Sequence, residues 1–215
     1  MILEAIVTTR HEDGSPNVSP MGPEVNDRDH WNEFVLKPYT SSRTYVNLKR
    51  DGKGVLHITD DVMLLARSAI NLWTHQPSFK ETPEVNGYVL ENACRWFEFE
   101  VTSLDDTEER TRIECRVTQQ GKLREFFGFN RAKHAVLEAA ILATRTKFIP
   151  AAEILSQMKH LKVIVEKTAG QQEGKAFELL EQFIAAQLSG LVMLDQSTVR
   201  STDSDSIKTA ADRQF

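Results

Sequence analysis

The stretch Glu4-Ala5-Ile6-Val7-Thr8-Thr9-Arg10, followed by His11-Glu12-Asp13-Gly14-Ser15 and Pro16-Asn17-Val18-Ser19-Pro20-Met21, decides the fold. β-Branched residues dominate Leu3 to Thr9 and predict a strand. Asp13-Gly14 is a hairpin signal, because glycine enters the left-handed conformation that tight turns require. Asn17 to Met21 is then the returning strand. Pro16 and Pro20 lack an amide hydrogen and confine it to an edge or to irregular pairing.

Outward from this hairpin, Trp31 to Lys37 reads as a third strand that Pro38 ends. Ser41-Ser42-Arg43-Thr44 opens a helix through Arg50, with hydroxyls at the N-cap and Asp51-Gly52 as a stop. Val55 to Thr59 is a short strand, and Thr59-Asp60-Asp61 caps a helix reaching about Asn71. Arg95 to Leu104 and Arg110 to Gln119 form a second hairpin across Asp105-Asp106-Thr107-Glu108. Beyond Asn130 the apolar residues recur at helical spacing, as in Val136, Ala139, Ala140 and Ala143, and again in Phe177, Leu180 and Ile184. Pro150 suits the first position of the helix between them. Phe126-Phe127-Gly128-Phe129 reads as the packed junction between the two zones. The organisation is therefore a strand-rich unit over residues 1–128, a helical unit over 129–188, and a polar tail over 189–215 with one apolar patch at Leu191 to Leu194.

Composition narrows the function. The chain has 215 residues, 40% apolar and 27% charged, enough to bury a core without disulfides or a structural metal. A net charge of −5 argues against a general binder of nucleic-acid backbones. Cys94 and Cys115 lack metal-site spacing, and the six histidines are scattered, so no metal site is expected. No apolar run approaches a membrane span, and Met1-Ile2-Leu3-Glu4 lacks the basic region of a secretion signal. A cytoplasmic protein is the expectation.

Two stretches carry possible chemistry. Asn17, Ser19, Pro20, Met21 and Gly22 place small polar groups and accessible backbone along one strand, suited to the edge of a planar heterocycle; the same residues also suit an ordinary hairpin. Thr40-Ser41-Ser42-Arg43-Thr44 sets hydroxyls, free amides and a cation at a helix start, which suits a phosphate; it is equally a plain N-cap. His57, in an apolar strand, reads as an interior histidine or as a proton donor beside a ligand. Trp31, Trp73 and Trp96 read as core or contact residues. Arg131, Lys133 and His134 crowd positive charge at a helix start, where the dipole opposes it unless an acid or phosphate is near.

Taken together, the hairpin, the Thr40-to-Leu48 stretch, Val55-Leu56-His57-Ile58-Thr59 and the segment Phe129 to Arg145 resemble the FMN-binding split-barrel proteins of the flavin-reductase-like superfamily. Within it, the sequence is most similar to the domain of unknown function 447 family, over about residues 1–188. The resemblance implies a mainly β fold with some α: a six-stranded antiparallel split barrel followed by a helical subdomain. It also implies FMN as cofactor, a homodimer with the flavin at the subunit interface, and a small-molecule substrate. By residue, it assigns Thr40, Ser41, Ser42, Arg43, Thr44 and Asn47 to the phosphate, and Asn17, Ser19, Pro20 and Met21 to the ring, with His57 and Thr59 nearby. No catalytic residue follows from it, since the flavin carries the hydride chemistry. The family context suggests a redox role in one-carbon, tetrahydromethanopterin-linked metabolism. A non-catalytic flavin- or pterin-binding accessory protein is the competing reading.

Overall fold

The computed structural model describes residues 1–26, 31–81 and 87–190. His30 and the apolar patch Leu191 to Leu194 lie outside the described residues, as does the polar tail beyond Gly190.

The opening hairpin forms as the sequence predicts. Strand β1 (Ala5–Arg10) pairs antiparallel with β2 (Pro16–Met21). The turn is longer than two residues: the His11 amide donates to the Ser15 carbonyl at 2.8 Å, and Asp13 Oδ1 accepts from the Ser15 amide at 3.0 Å. After β3 (Glu24–Val25) and β4 (Glu33–Leu36), helix α1 (Arg43–Asp51) starts at Ser42, whose Oγ accepts from the Tyr45 amide at 3.2 Å. Strand β5 (Lys53–Ile58) and helix α2 (Val62–Ile70) follow. A small hairpin, β6 (Phe79–Glu81) and β7 (Tyr88–Leu90), leads to the long strands β8 (Arg95–Asp105) and β9 (Arg112–Lys122). Helices α3 (Arg131–Thr144), α4 (Ala151–Thr168) and α5 (Gln171–Leu188) complete the described chain.

The main sheet runs β2-β1-β5-β8-β9-β4-β3, with every neighbour antiparallel. Seven strands, not six, build it among the described residues, because β3 and β4 are separate strands that both join the sheet. Five helices also make the architecture mixed α/β rather than mainly β. The sheet curls until the chain ahead of β1 reaches β3: Ile2 bridges Glu24, and the Val25 amide donates to the Met1 carbonyl at 2.9 Å. Gly22 permits that approach, since a Cβ there would meet Ile2 Cγ2 at 2.9 Å. The prolines of β2 sit on an edge strand, where a missing donor breaks no ladder bond.

Two apolar cores result from the period-two alternation of the strands. Ala5, Val7, Leu56, Phe97, Phe99 and Ile113 face inward with Tyr45 and Leu48 of α1, and Trp31 stacks on Phe97 at 4.9 Å. Ile6, on the opposite face, joins the core built by α2, α3, α4 and α5. Trp73 packs against this second core, and Trp96 lies over Gly121 beside Val55 and Val89.

Asp60 ties the two cores together. It is buried, bonded to the Arg124 guanidinium, 3.2 Å from Lys133 Nζ, and accepts from the Phe127 amide at 3.0 Å. Burial alone would raise its pKa, but Arg124, the Phe127 amide and Lys133 outweigh that and hold the carboxyl well below the usual range. Lys133, at the unfavourable end of α3, thereby has its acid partner, with Glu173 at 3.9 Å as a second. Asp60→Asn should cost about 2–3 kcal/mol at pH 7, because it leaves cations without their counter-charge. Since the folded pKa is depressed, the carboxylate's contribution is complete above about pH 4 and fades as pH falls further. Denaturant titrations should therefore show a smaller loss for the variant at pH 3 than at pH 7; equal losses would refute the charge argument.

Candidate functional site

The clearest polar constellation joins β1, β2 and α1. Thr9 Oγ1, buried between them, accepts from Asn47 Nδ2 at 2.9 Å and from Asn17 Nδ2 at 3.1 Å. Asn17 Nδ2 also reaches Thr44 Oγ1 at 3.1 Å. Two of the sequence-derived site residues, drawn from two distant stretches, thus meet at one threonine that sequence reasoning had not singled out, and a third, Thr44, joins through Asn17. The Asn17 and Asn47 side-chain amides donate within the fold and the Thr44 hydroxyl accepts, so these residues fix the position of the α1 N-terminus against the β2 edge.

That N-terminus is open. Ser42 caps the Tyr45 amide, and the Ser42 amide donates to the Tyr39 carbonyl at 2.9 Å. The Thr40 amide is taken by the Glu109 carbonyl at 2.9 Å. The first-turn amides of Arg43 and Thr44 have no intrahelical acceptor, as at any helix start. Ser41 and Arg43 are exposed, Thr40 and Ser42 half-buried. No acidic side chain stands in the first turn, and the basic residues Lys49 and Arg50 occupy the last. The polarity of this end suits an anion.

From there the β2 edge runs away from α1 through Ser19 and Pro20 to Met21, all half-buried, with Met21 packed on the inner core. The four residue steps from Asn17 to Met21 span about 13 Å at the usual strand rise. The edge offers backbone groups beyond those that pair with β1, since no strand lies on its other side among the described residues.

His57 and Thr59 are not part of this arrangement. Leu56 faces α1, so its neighbour His57 points to the other side of the sheet, where it is fully buried. One ring nitrogen, Nδ1, lies 3.2 Å from the Ile6 carbonyl, and the other, Nε2, accepts from the Leu90 amide at 3.0 Å. This pattern requires the neutral ring with its proton on Nδ1. His57 thereby fastens β7 across β1 and β5, and neither nitrogen remains for a ligand. Thr59 Oγ1 accepts from the Asp61 amide at 3.0 Å, at the start of α2. Phe126, Phe127 and Phe129 are also not where the sequence suggests: instead of packing between barrel and helices, all three are exposed.

Burial pushes the His57 pKa down to about 3, against a smaller opposing effect of the Ile6 carbonyl. Its ring-proton NMR shifts should stay constant between pH 8 and pH 5. Folding stability should decline below about pH 6.5, because the unfolded chain takes up a proton that the folded ring refuses. A His57 titration near 6.5 in the native protein would overturn this placement.

Residues 3–124 match the family model described as the N-terminal domain of a protein of unknown function (DUF447), and residues 130–182 match its second DUF447 model. Among curated proteins, none matches the chain. Among solved structures, an FMN-bound protein from Methanosarcina mazei of the same family shares 26% identity, with 85% of this chain and 94% of that one covered at a TM-score of 0.74. The flavin reductase of styrene monooxygenase from Pseudomonas putida S12 shares 20% identity over 55% of this chain and 78% of its own, at a TM-score of 0.46. An FMN-binding protein from Thermus thermophilus shares 15% over 56% and 70%, also at 0.46.

Proposed function

The chain belongs to the DUF447 family, and from that premise we propose that it is a flavoprotein that holds FMN along the β2 edge, with the phosphate at the N-terminus of α1. The observation that carries this reading is the Thr9-centred knot, which sets an open, cation-bearing helix start against an unpaired strand edge. The donor set fits the group. Arg43, Ser41, Thr40 and the first amides of α1 suit a dianion, while Ser19, Pro20 and Met21 offer a flat, weakly polar edge of the length a flavin needs. The Methanosarcina mazei relative, described as FMN-bound, supports the choice of heterocycle.

Bound FMN supplies hydride or single-electron transfer. The chain's own groups bind and orient it: Arg43 and the helix end neutralise the phosphate, Asn17 and Thr44 keep helix and strand in register, and the β2 backbone addresses the polar ring edge. We further infer that a small molecule is the redox partner and that two copies of the chain pair, with the groove at their contact. The phosphate-binding end distinguishes this reading from a bare pterin site, which has no use for it.

A visible spectrum of the purified protein, before and after adding FMN and removing the excess, tests the reading. Retained flavin absorbance is expected; its absence at micromolar protein would overturn the proposal in favour of a flavin-free module. Arg43→Ala should weaken FMN binding by about 1.5–3 kcal/mol, the scale of a charge-assisted bond, in a fluorescence titration. Unchanged affinity would remove Arg43 from the site.

A further inference from the structure

The segment that carries the chain from β4 into α1 is strapped to the turn between β8 and β9, residues 106–111. Strands β4 and β9 pair from Glu33 opposite Arg116 to Leu36 opposite Ile113, and beyond β4 the same register reappears as a bridge between Tyr39 and Arg110. Pro38 therefore stands opposite Thr111. An antiparallel pair of this kind exchanges two backbone bonds, and a proline has no amide hydrogen for its share. The Thr111 amide donates to the Pro38 carbonyl at 3.0 Å, and the Thr111 hydroxyl donates to the same carbonyl at 2.8 Å. The buried threonine side chain thus replaces the bond that the proline cannot make. On either side, the Thr40 amide donates to the Glu109 carbonyl at 2.9 Å and Arg110 Nε to the Lys37 carbonyl at 3.3 Å. Inside the helix, the Tyr45 hydroxyl donates to Asp106 Oδ2 at 2.6 Å, and Lys49 Nζ donates to the same oxygen at 2.6 Å.

We propose that this turn positions the phosphate seat, with Thr111 and Tyr45 as the residues that set the α1 N-terminus against an incoming phosphate. The assignment rests on the flavin reading given above. Two anchors converge on the start of α1. The Thr9 knot holds it from the β1–β2 hairpin, through Asn17, Thr44 and Asn47. The 106–111 turn holds the residues just ahead of it from the β9 side. Ser41 and Arg43, both exposed, lie between these anchors in the chain. A hydrogen bond to phosphate depends on direction as well as distance, so a helix start fixed from both sides presents its donors in one orientation. Strand β2, which would face the ring, is held separately by its six residue pairs with β1. Loosening the strap should therefore weaken the hold on the phosphate and spare the hold on the ring.

The test compares FMN with riboflavin, which has the same ring and no phosphate, in fluorescence titrations of the full chain. Wild type should prefer FMN. Thr111→Val keeps the shape and the amide but removes the hydroxyl. It should lower FMN affinity about 3–10-fold, the scale of one net hydrogen bond, while riboflavin affinity stays within about twofold. Thr111→Ser, which restores the hydroxyl, should recover FMN binding. Tyr45→Phe removes the bond to Asp106 from within the helix and should act in the same direction, so the result does not depend on the folding of one variant. Arg116→Gln, at a side chain that pairs with Glu100 on the same hairpin, should change neither affinity. Equal losses for both flavins in Thr111→Val and Tyr45→Phe, or no loss at all, would overturn the assignment and leave FMN as the ligand. A wild type that binds neither flavin, or does not prefer FMN, would instead overturn the phosphate reading and this assignment with it.

Discussion

The fold depends on one buried carboxylate. Asp60 leaves the end of β5 just ahead of α2 and accepts bonds from Arg124, Phe127 and Lys133, residues 64 to 73 positions away. An isolated charge in that position would be costly, but two cations and an amide surround it, so its desolvation is offset where the strand unit meets the helical unit. The same bonds fix where the chain leaves β9 and where α3 begins. Without them the helices would still bury Ile6 and one another, but their position relative to the sheet would rest on apolar contacts alone, which constrain direction weakly.

Thr9 has the corresponding role at the other end of β1. Its hydroxyl draws amides from β2 and α1, so the strand edge and the helix start keep a fixed spacing. A ligand that spans both must match that spacing. For the proposed FMN, a phosphate end placed at a fixed distance from the strand edge would select by length as well as charge. His57 is the third fixed point, joining β7 to β1 and β5 through a neutral ring on the opposite face.

Much of this was legible in the sequence where the signal is short-range. The Asp13-Gly14 turn, the edge prolines of β2, the Ser42 cap and the Asn130 cap are each set by residues within a few positions of one another, and each stands where the sequence predicts. The two-residue β3 and the three-residue β6 and β7 carry no periodicity to detect, which is why the strand count and the cover over His57 were missed. Apolarity announced the phenylalanine run but cannot say whether the rings pack between the units or stand exposed, because both arrangements have the same composition. Asn17, Thr44 and Asn47 lie in stretches the sequence groups by residue type, yet Thr9, the acceptor Asn17 and Asn47 share, sits in a stretch that reads only as strand. The identity of an acceptor across 38 residues is a property of the packed fold and leaves no local pattern.

The arrangement also constrains what the protein can do chemically. His57 is held neutral with both nitrogens engaged. Cys94 and Cys115 are buried thiols whose pKa values burial raises, so neither is poised as a nucleophile. Asp60 is locked between cations as a carboxylate and cannot pick up a proton near neutral pH. His57, Asp60 and the two thiols are thus committed to structure, whereas the groups at the open helix start and strand edge are suited to hold and orient. In the proposed site, what the protein binds would be selected by the fixed placement of the α1 N-terminus against the Asn17 end of β2, which the Thr9 knot sets.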